Sequence, residues 1–415
     1  MTGWASRLLG RLVGVPLVLL ALSGCASYLR LEAPPPAETE TIAVLGVPNA
    51  RFWLDASSES LLQEGLLMAG REARAARPAQ TLGPQNFLAL SGGGDNGAFG
   101  AGMMLGWTAA GTRPSFGVVT GISAGALIAP FAFLGADYDP QLRDVFTGQQ
   151  ARDILVVPRQ AMAAFALFFG EALADTSPLR RLIARHADEA MLAAIAAEYG
   201  KGRLLLIGTT NLDLQRPVVW NIGAIAASGH PDALGLFRRI LLASASIPGA
   251  FPPVLVDVEH EGRVFQEMHV DGGAAMQVFL YPPSLVLGEA ARQRGLVRQR
   301  NAYVIRNGRV DVEAGSTVRG VLSITRRAAT TLLHFGGIGD ISRIYLTALR
   351  DGVAFRVAYI GRDFQHPRSE PFDPGFVQAL FDYGFERGRR GDGWRSEPAA
   401  VGTFVAPSAT AGTAR

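Results

Sequence analysis

Cysteine is nearly missing from this chain: Cys25 is the only one in 415 residues. No disulfide can form within the molecule, so a stapled framework is excluded and folding must rest on a hydrophobic core. Lysine is equally scarce, since Lys201 stands alone and the other cations are arginines. An excess of either charge is lacking too. The formal net charge is +3, and it falls to +1 without Arg7 and Arg11, leaving 37 basic against 36 acidic residues. A surplus this slight gives no electrostatic footprint for nucleic acid. The chain also has no long apolar run, because the stretch from Leu12 to Leu22 falls short of the ~20 residues that span a bilayer.

That short stretch has a pattern. Arg7 and Arg11 precede it and Ser23-Gly24-Cys25 follows, a basic region, an apolar region and small residues in the order of a secretory leader. Leu22-Ser23-Gly24-Cys25 resembles the lipobox of bacterial lipoproteins, which implies removal of residues 1–24 and lipidation of Cys25. The alternative is a buried free cysteine in a signal-anchor region. Ala26, rather than Asp, follows the cysteine, which fits transfer to an outer membrane. The expectation is a lipid-anchored protein of the bacterial cell envelope, on the periplasmic side of the outer membrane.

Beyond the leader, residues 25–85 read as a tether containing Pro34-Pro35-Pro36 and the acids Glu38 and Glu40. Within it, Leu61, Leu62, Leu66 and Met68 space a short helix over 58–77. Residues 86–285 alternate short apolar runs with helical stretches. Strands are predicted at 87–90, 116–120, 204–210, 217–222 and 264–270, and helices at 98–110, 124–134 and 234–245. This alternation predicts a mostly parallel sheet with helices on both faces. In residues 286–396 the pattern predicts one more strand at 302–306 and helices at 325–335, 341–349 and 376–387, an extension packed on the core. The aromatic stripe of the last helix, Phe376, Phe381, Tyr383 and Phe385, reads as core. Residues 397–415 are small or polar and read as a disordered tail.

Three segments carry chemistry. Gly121-Ile122-Ser123-Ala124-Gly125 is a G-x-S-x-G sequence, which places a serine on a sharp strand-to-helix turn with its hydroxyl exposed to substrate. The dipole of the following helix favours negative charge there. Upstream, Ser91-Gly92-Gly93-Gly94-Asp95-Asn96-Gly97 offers backbone amides, those of Gly93 and Gly94, to a developing oxyanion. Downstream, Asp271-Gly272-Gly273 offers a carboxylate, a weak base that needs desolvation and a direct hydrogen bond to Ser123 to be useful. The glycines also match G-x-G-x-x-G. However, no acid lies about 20 residues onward to hold a ribose, and no Gly-Lys-Ser/Thr ending follows. Asp271-Gly272 by itself is an ordinary turn sequence. His186, His230 and His260 read as surface or core residues.

The order of these segments, with Ala243-Ser244-Ala245-Ser246-Ile247-Pro248-Gly249-Ala250-Phe251-Pro252-Pro253-Val254 before the aspartate, resembles the patatin-like phospholipase family over about residues 86–285. The resemblance implies a three-layer α/β/α fold and a Ser–Asp dyad without histidine. By position Ser123 would be the nucleophile, Asp271 the base, and the Gly93 and Gly94 amides the oxyanion hole. Gly92, Gly97, Gly121, Gly125, Gly272 and Gly273 complete the motifs. No metal or cofactor is implied, and the substrate would be an acyl ester of a phospholipid, galactolipid or neutral lipid. One departure is Asn96, where the family's loop often carries Arg or Lys. Without that cation a strong preference for an anionic head group is in doubt, unless Arg113 or Arg152 substitutes. Two other readings stay open: a Ser-His-Asp esterase using His334 or His366, and a lipid-binding lipoprotein that keeps the fold without activity.

Overall fold

A computed structural model describes residues 30–56, 58–76, 83–148, 175–293, 295, 298–311 and 315–398. The expected leader, Cys25, Arg152 and nearly all of the expected tail lie outside the described residues.

Among the described residues nine strands form one sheet. They are β1 (Arg51–Trp53), β2 (Gln85–Leu90), β3 (Val118–Ile122), β4 (Leu204–Asn211), β5 (Arg216–Asn221), β6 (Val254–His260), β7 (Arg263–Asp271), β8 (Arg300–Arg306) and β9 (Ala354–Tyr359). The order is β1-β5-β4-β3-β2-β8-β9, with β7 pairing to the end of β4 and β6 pairing to β7. β4, β3, β2, β8 and β9 are mutually parallel. β5, β1, β7 and β6 join antiparallel at the other side. The sheet is therefore mixed, where the alternation of elements predicted a mostly parallel one. Two of its antiparallel pairs, β4–β5 and β6–β7, are hairpins, which need only short connections, while β1–β5 and β4–β7 join strands distant in sequence.

Burial follows this arrangement. All of β4 is buried, as expected of a strand covered on both faces. β6 alternates between buried and exposed positions, as in a half-covered hairpin. Along β2, Leu88 and Leu90 enter one core while Phe87 and Ala89 enter the other. The period of two thus splits one strand between two helical layers.

The helices are α1 (Glu59–Ala75), α2 (Gly97–Ala109), α3 (Ala124–Leu134), α4 (Asp139–Thr147), α5 (Ser177–His186), α6 (Glu189–Gly200), α7 (Ile222–Ala227), α8 (Ala233–Ser244), α9 (Leu287–Gln293), α10 (Val321–Asp351) and α11 (Pro374–Arg390). α2, α3, α8 and α11 supply the first core with Met103, Phe133, Phe237 and Phe381. The second takes Met68 of α1 and Ile341 and Ile344 of α10. α11 is a structural part of the body: Gly102 and Gly106 of α2 lie directly against the backbone of Phe381 and Phe385, with no room for a Cβ.

Two expectations change here. The helices predicted at 325–335 and 341–349 are one continuous helix, α10, running through Gly336, Gly337 and Gly339. The stretch read as a tether is held to the body from Arg30 onward. Arg30 grips both oxygens of Asp213 at 2.8 and 2.9 Å and donates to the Gln266 carbonyl at 2.6 Å. Buried Arg51 pairs with buried Glu267 and donates to the Thr39 carbonyl. Charges that look solvated in sequence find partners some 200 residues away, which local composition cannot reveal. Among the described residues no helix is long and apolar enough to cross a membrane.

Candidate active site

Ser123 is the single residue between β3 and α3, and its backbone is strained, with φ 54° and ψ −123°. A non-glycine residue held at such angles costs about 1–3 kcal/mol and persists only where its surroundings impose it. The surroundings are identifiable. A Cβ on Gly121 would lie 2.5 Å from the Gly125 carbonyl oxygen, and one on Gly125 would collide with the Leu90 carbonyl. Gly121 lets the turn close on itself, and Gly125 lets it pack on the end of β2. The Ser123 N–H donates to Ser244 Oγ at 3.0 Å, and Ser244 in turn donates to the Gly208 carbonyl at 2.7 Å. Ser244 is fully buried, so it ties the turn to the middle of β4.

Asp271 ends β7, where it is paired in register with Thr209 of β4. Its N–H donates to the Ser246 carbonyl at 2.9 Å, and Thr210 Oγ1 donates to its carbonyl at 3.1 Å. Oδ1 accepts the Gly273 N–H at 2.7 Å. Oδ2 is buried and has no partner in full hydrogen-bond geometry. The Ser123 hydroxyl lies against this same carboxyl and favours its charged form. Burial has the larger effect, and against the pull of Ser123 and Gly273 it pushes Asp271 up to about 7. A carboxyl that exchanges its proton near neutrality suits general base chemistry.

The glycine loop runs beside this pair. The Gly92 amide is already engaged by the Gln277 carbonyl at 3.0 Å. Those of Gly93 and Gly94 take no acceptor among the described residues. Gly94 has φ 58°, and Gly93 packs on the Asn307 backbone with no space for a side chain. Asn307 clamps the loop: its Nδ2 donates to the Ser91 carbonyl at 2.7 Å, and its Oδ1 accepts the Gly100 N–H at 3.0 Å. Gly97 opens α2 against Phe146 and Ala124, and Gly272 lies under the Gly208 carbonyl.

Ser123 and Gly94 line a cavity of about 130 Å³. Its other walls are mainly apolar, among them Leu127, Val145, Leu179, Phe251 and Val377, drawn from α3, α4, α5, the segment after α8, and α11. The charged lining residue is Asp95. Its Oδ2 accepts from Arg368 at 2.8 Å and from the Phe372 N–H at 2.9 Å, which pins the segment before α11 to the glycine loop. Burial raises the Asp95 pKa, and Arg368 opposes that rise.

Arg113, considered above as a replacement cation, is instead paired with Asp139 at 2.8 Å and the Ala132 carbonyl at 3.0 Å. The arginine that reaches the loop is Arg368, some 270 residues distant in sequence. No histidine lines the cavity. His334 sits on α10 with its ring against Phe335, and His366 stacks on Phe364 and bonds the Pro367 carbonyl. His269 is buried near Asp271 but bonds Thr209 and Glu267. Among the described residues no cluster of acids, histidines or cysteine has the makings of a metal site.

Sequence reasoning missed Ser244, Asn307 and Gln277 as positioning residues. Ser244 did carry a signal, a polar residue within an otherwise apolar helix end. Asn307 carried none, because its place follows from β8 lying beside β2.

A three-layer α/β/α body with a serine at a strained turn, a buried acid against it and a glycine loop defines a class of acyl-transferring proteins. Residues 88–282, just under half of the chain, match the model of the patatin family, described as patatin-like phospholipase. Similar solved structures include VipD from Legionella pneumophila, at 10% identity and TM-score 0.35, covering 76% of this chain and 68% of that one. Human GIVD cytosolic phospholipase A2 is also similar, at 10% identity and TM-score 0.30, covering 83% and 65%. This chain therefore spans about two thirds of the length of each. No curated protein matches it in sequence.

Proposed function

We propose that the protein cleaves acyl esters of membrane lipids with Ser123 as nucleophile and Asp271 as its only proton acceptor. Support comes above all from one observation: the Ser123 hydroxyl and a buried Asp271 carboxyl with a pKa near 7 meet beside an apolar cavity. In the first step Oγ attacks the ester carbonyl carbon while its proton passes to the Asp271 carboxylate. Negative charge gathers on the carbonyl oxygen, and the Gly93 and Gly94 amides receive it. The tetrahedral centre collapses, the C–O bond breaks, and the proton on Asp271 goes to the departing alcohol. Water then gives up a proton to Asp271 as it attacks the acyl-Ser123 ester, and that proton passes to Ser123 Oγ as the C–Oγ bond breaks and the free acid leaves.

The cavity takes the acyl chain, its apolar walls replacing water around the methylenes. Asp95 is the charged group in that lining and its neighbour Arg368 is already paired, so an anionic head group finds no free cation there among the described residues. The reading is a lipase or phospholipase with weak head-group discrimination. The leader and Cys25 support export and lipid anchoring in the cell envelope, with the periplasmic face of an outer membrane as the proposed site.

The test is a panel of phospholipid, galactolipid and neutral-lipid esters given to the wild type and to Ser123→Ala, with products resolved by mass. Free fatty acid from the wild type, lost by at least about a thousandfold in the variant, is expected. A fluorophosphonate probe should label the wild type at Ser123. Retained hydrolysis in Ser123→Ala overturns the assignment.

A further inference from the structure

The geometry points to the first half of α10 as an arm that rests on an anionic lipid surface beside the active site. α10 runs from Val321 to Asp351, and only its second half is embedded. Asp340 accepts the N–H groups of Gln277 and Val278 at 2.7 and 3.4 Å, directly after the Asp271 loop. Gly337 lies against the side chain of Arg306, the last residue of β8. At the other end Asp351 bonds Tyr281 at 3.0 Å, and the chain turns into β9.

The helix therefore runs antiparallel to β8 and β9 and crosses the carboxyl edge of the parallel strands near Gly337. Ser123 and the glycine loop sit on that same edge, after β3 and β2. Residues 321–336 continue outward for about 24 Å at ~1.5 Å per residue.

This projecting half is exposed almost all round. Val321, Ile324, Leu332 and Phe335 are 81%, 54%, 74% and 62% exposed. With Ala328 they stand at i, i+3, i+7, i+11 and i+14, one face of a helix. Exposed apolar groups in register are not the pattern of a solvated helix. A helix of four turns with no tertiary support is also marginal in water. Among the described residues nothing covers this stripe, and an apolar partner is implied.

Charge selects the partner. From residue 315 to 339 there is no Asp or Glu, while Arg319, Arg326 and Arg327 are present and exposed. Arg326 and Arg327 fall on the remaining circumference, away from the apolar stripe. An apolar stripe with arginines and no acids matches an interface of acyl chains beneath negatively charged head groups. The arm is too short to cross a bilayer, so it lies in the interface and holds the catalytic edge towards it. The choice of a lipid surface over a protein partner rests on the acyl-hydrolase reading above.

The test uses the full chain with Cys25→Ser, which removes lipidation and the native thiol, and Leu332→Cys carrying an environment-sensitive fluorophore. With vesicles of phosphatidylglycerol the label should brighten and shift to the blue. With phosphatidylcholine, or in 0.5 M salt, the response should be much weaker. Replacing Arg319 and Arg326 by Gln should weaken the response about fivefold per arginine, roughly 25-fold for both. Phe335→Glu in the same background should lower it further while leaving hydrolysis of a soluble short-chain ester unchanged.

A label that stays unchanged with every vesicle overturns the proposal. So does a change that depends on protein concentration without lipid, which would mean that a second copy covers the stripe. Soluble-ester hydrolysis reports on Ser123 independently, so failure of the arm and failure of the enzymatic reading are separate outcomes.

Discussion

Replacing Asp271 by asparagine should stabilise the protein while destroying its activity, and the stabilisation should depend on pH in a defined way. The carboxyl titrates at about 7 in the folded chain and near 3.8 when unfolded. Between those values the folded state retains a proton that the unfolded chain has released. Stability therefore falls as pH rises through this window, and it is level below and above it. A gap of about three pH units at about 1.36 kcal/mol each gives up to ~4 kcal/mol. Asp271→Asn removes this dependence and keeps an oxygen for the Gly273 N–H. Urea unfolding followed by circular dichroism should show the two proteins equal near pH 3.5. At pH 8 the variant should be ahead by up to ~4 kcal/mol. Ser123→Ala removes a bond that favours the charged form, so in that background the window should extend above 7. A difference between Asp271→Asn and wild type that is constant from pH 4 to 9 would refute the reasoning.

The same titration sets a rate profile: kcat/KM on a soluble ester should rise about tenfold per pH unit and level off near 7, and a flat profile would remove Asp271 as the base. Ser244→Ala leaves the Ser123 N–H buried without its acceptor, costing about 1–3 kcal/mol in calorimetric unfolding and lowering kcat more than it raises KM. Gly125→Ala drives a methyl into the Leu90 carbonyl, with an expected loss of about 3 kcal/mol or more, and a soluble variant with unchanged Tm would contradict the packing described.

How much could be read beforehand depended on whether the determinant was local. The turn around Ser123 was legible because Gly121 is demanded by the Gly125 carbonyl four residues on, and Gly125, although its own contact is with Leu90, falls in the same five-residue motif. β3, β4 and α3 were legible because apolar runs and small residues report burial directly. β9 was missed because Arg356 interrupts its pattern, although Phe355, Val357 and Ala358 are buried. α4 to α7 were missed although Pro140, Pro178 and the caps Asp188 and Asn221 mark their starts. For the candidate site, Ser123, Asp271 and the glycine loop, which the structure brings together, were visible as motifs. Their supports were not: Asn307, Gln277 and the Asp95–Arg368 pair are brought in by strand order and by the segment before α11. Arg113 was a wrong guess for the loop cation, because a nearby partner, Asp139, already claims it.

The position of β8 has a consequence for dissecting this protein. The family-matched block ends at 282, yet the neighbour of β2 in mid-sheet is a strand beginning at Arg300. Truncation at the end of that block would strip one flank from Gln85–Leu90 and leave a raw row of amides and carbonyls, an invitation to intermolecular pairing. It would also remove the asparagine that grips Ser91. The recognisable half of this chain is thus a catalytic signature without a self-sufficient scaffold, and the less familiar half completes the sheet.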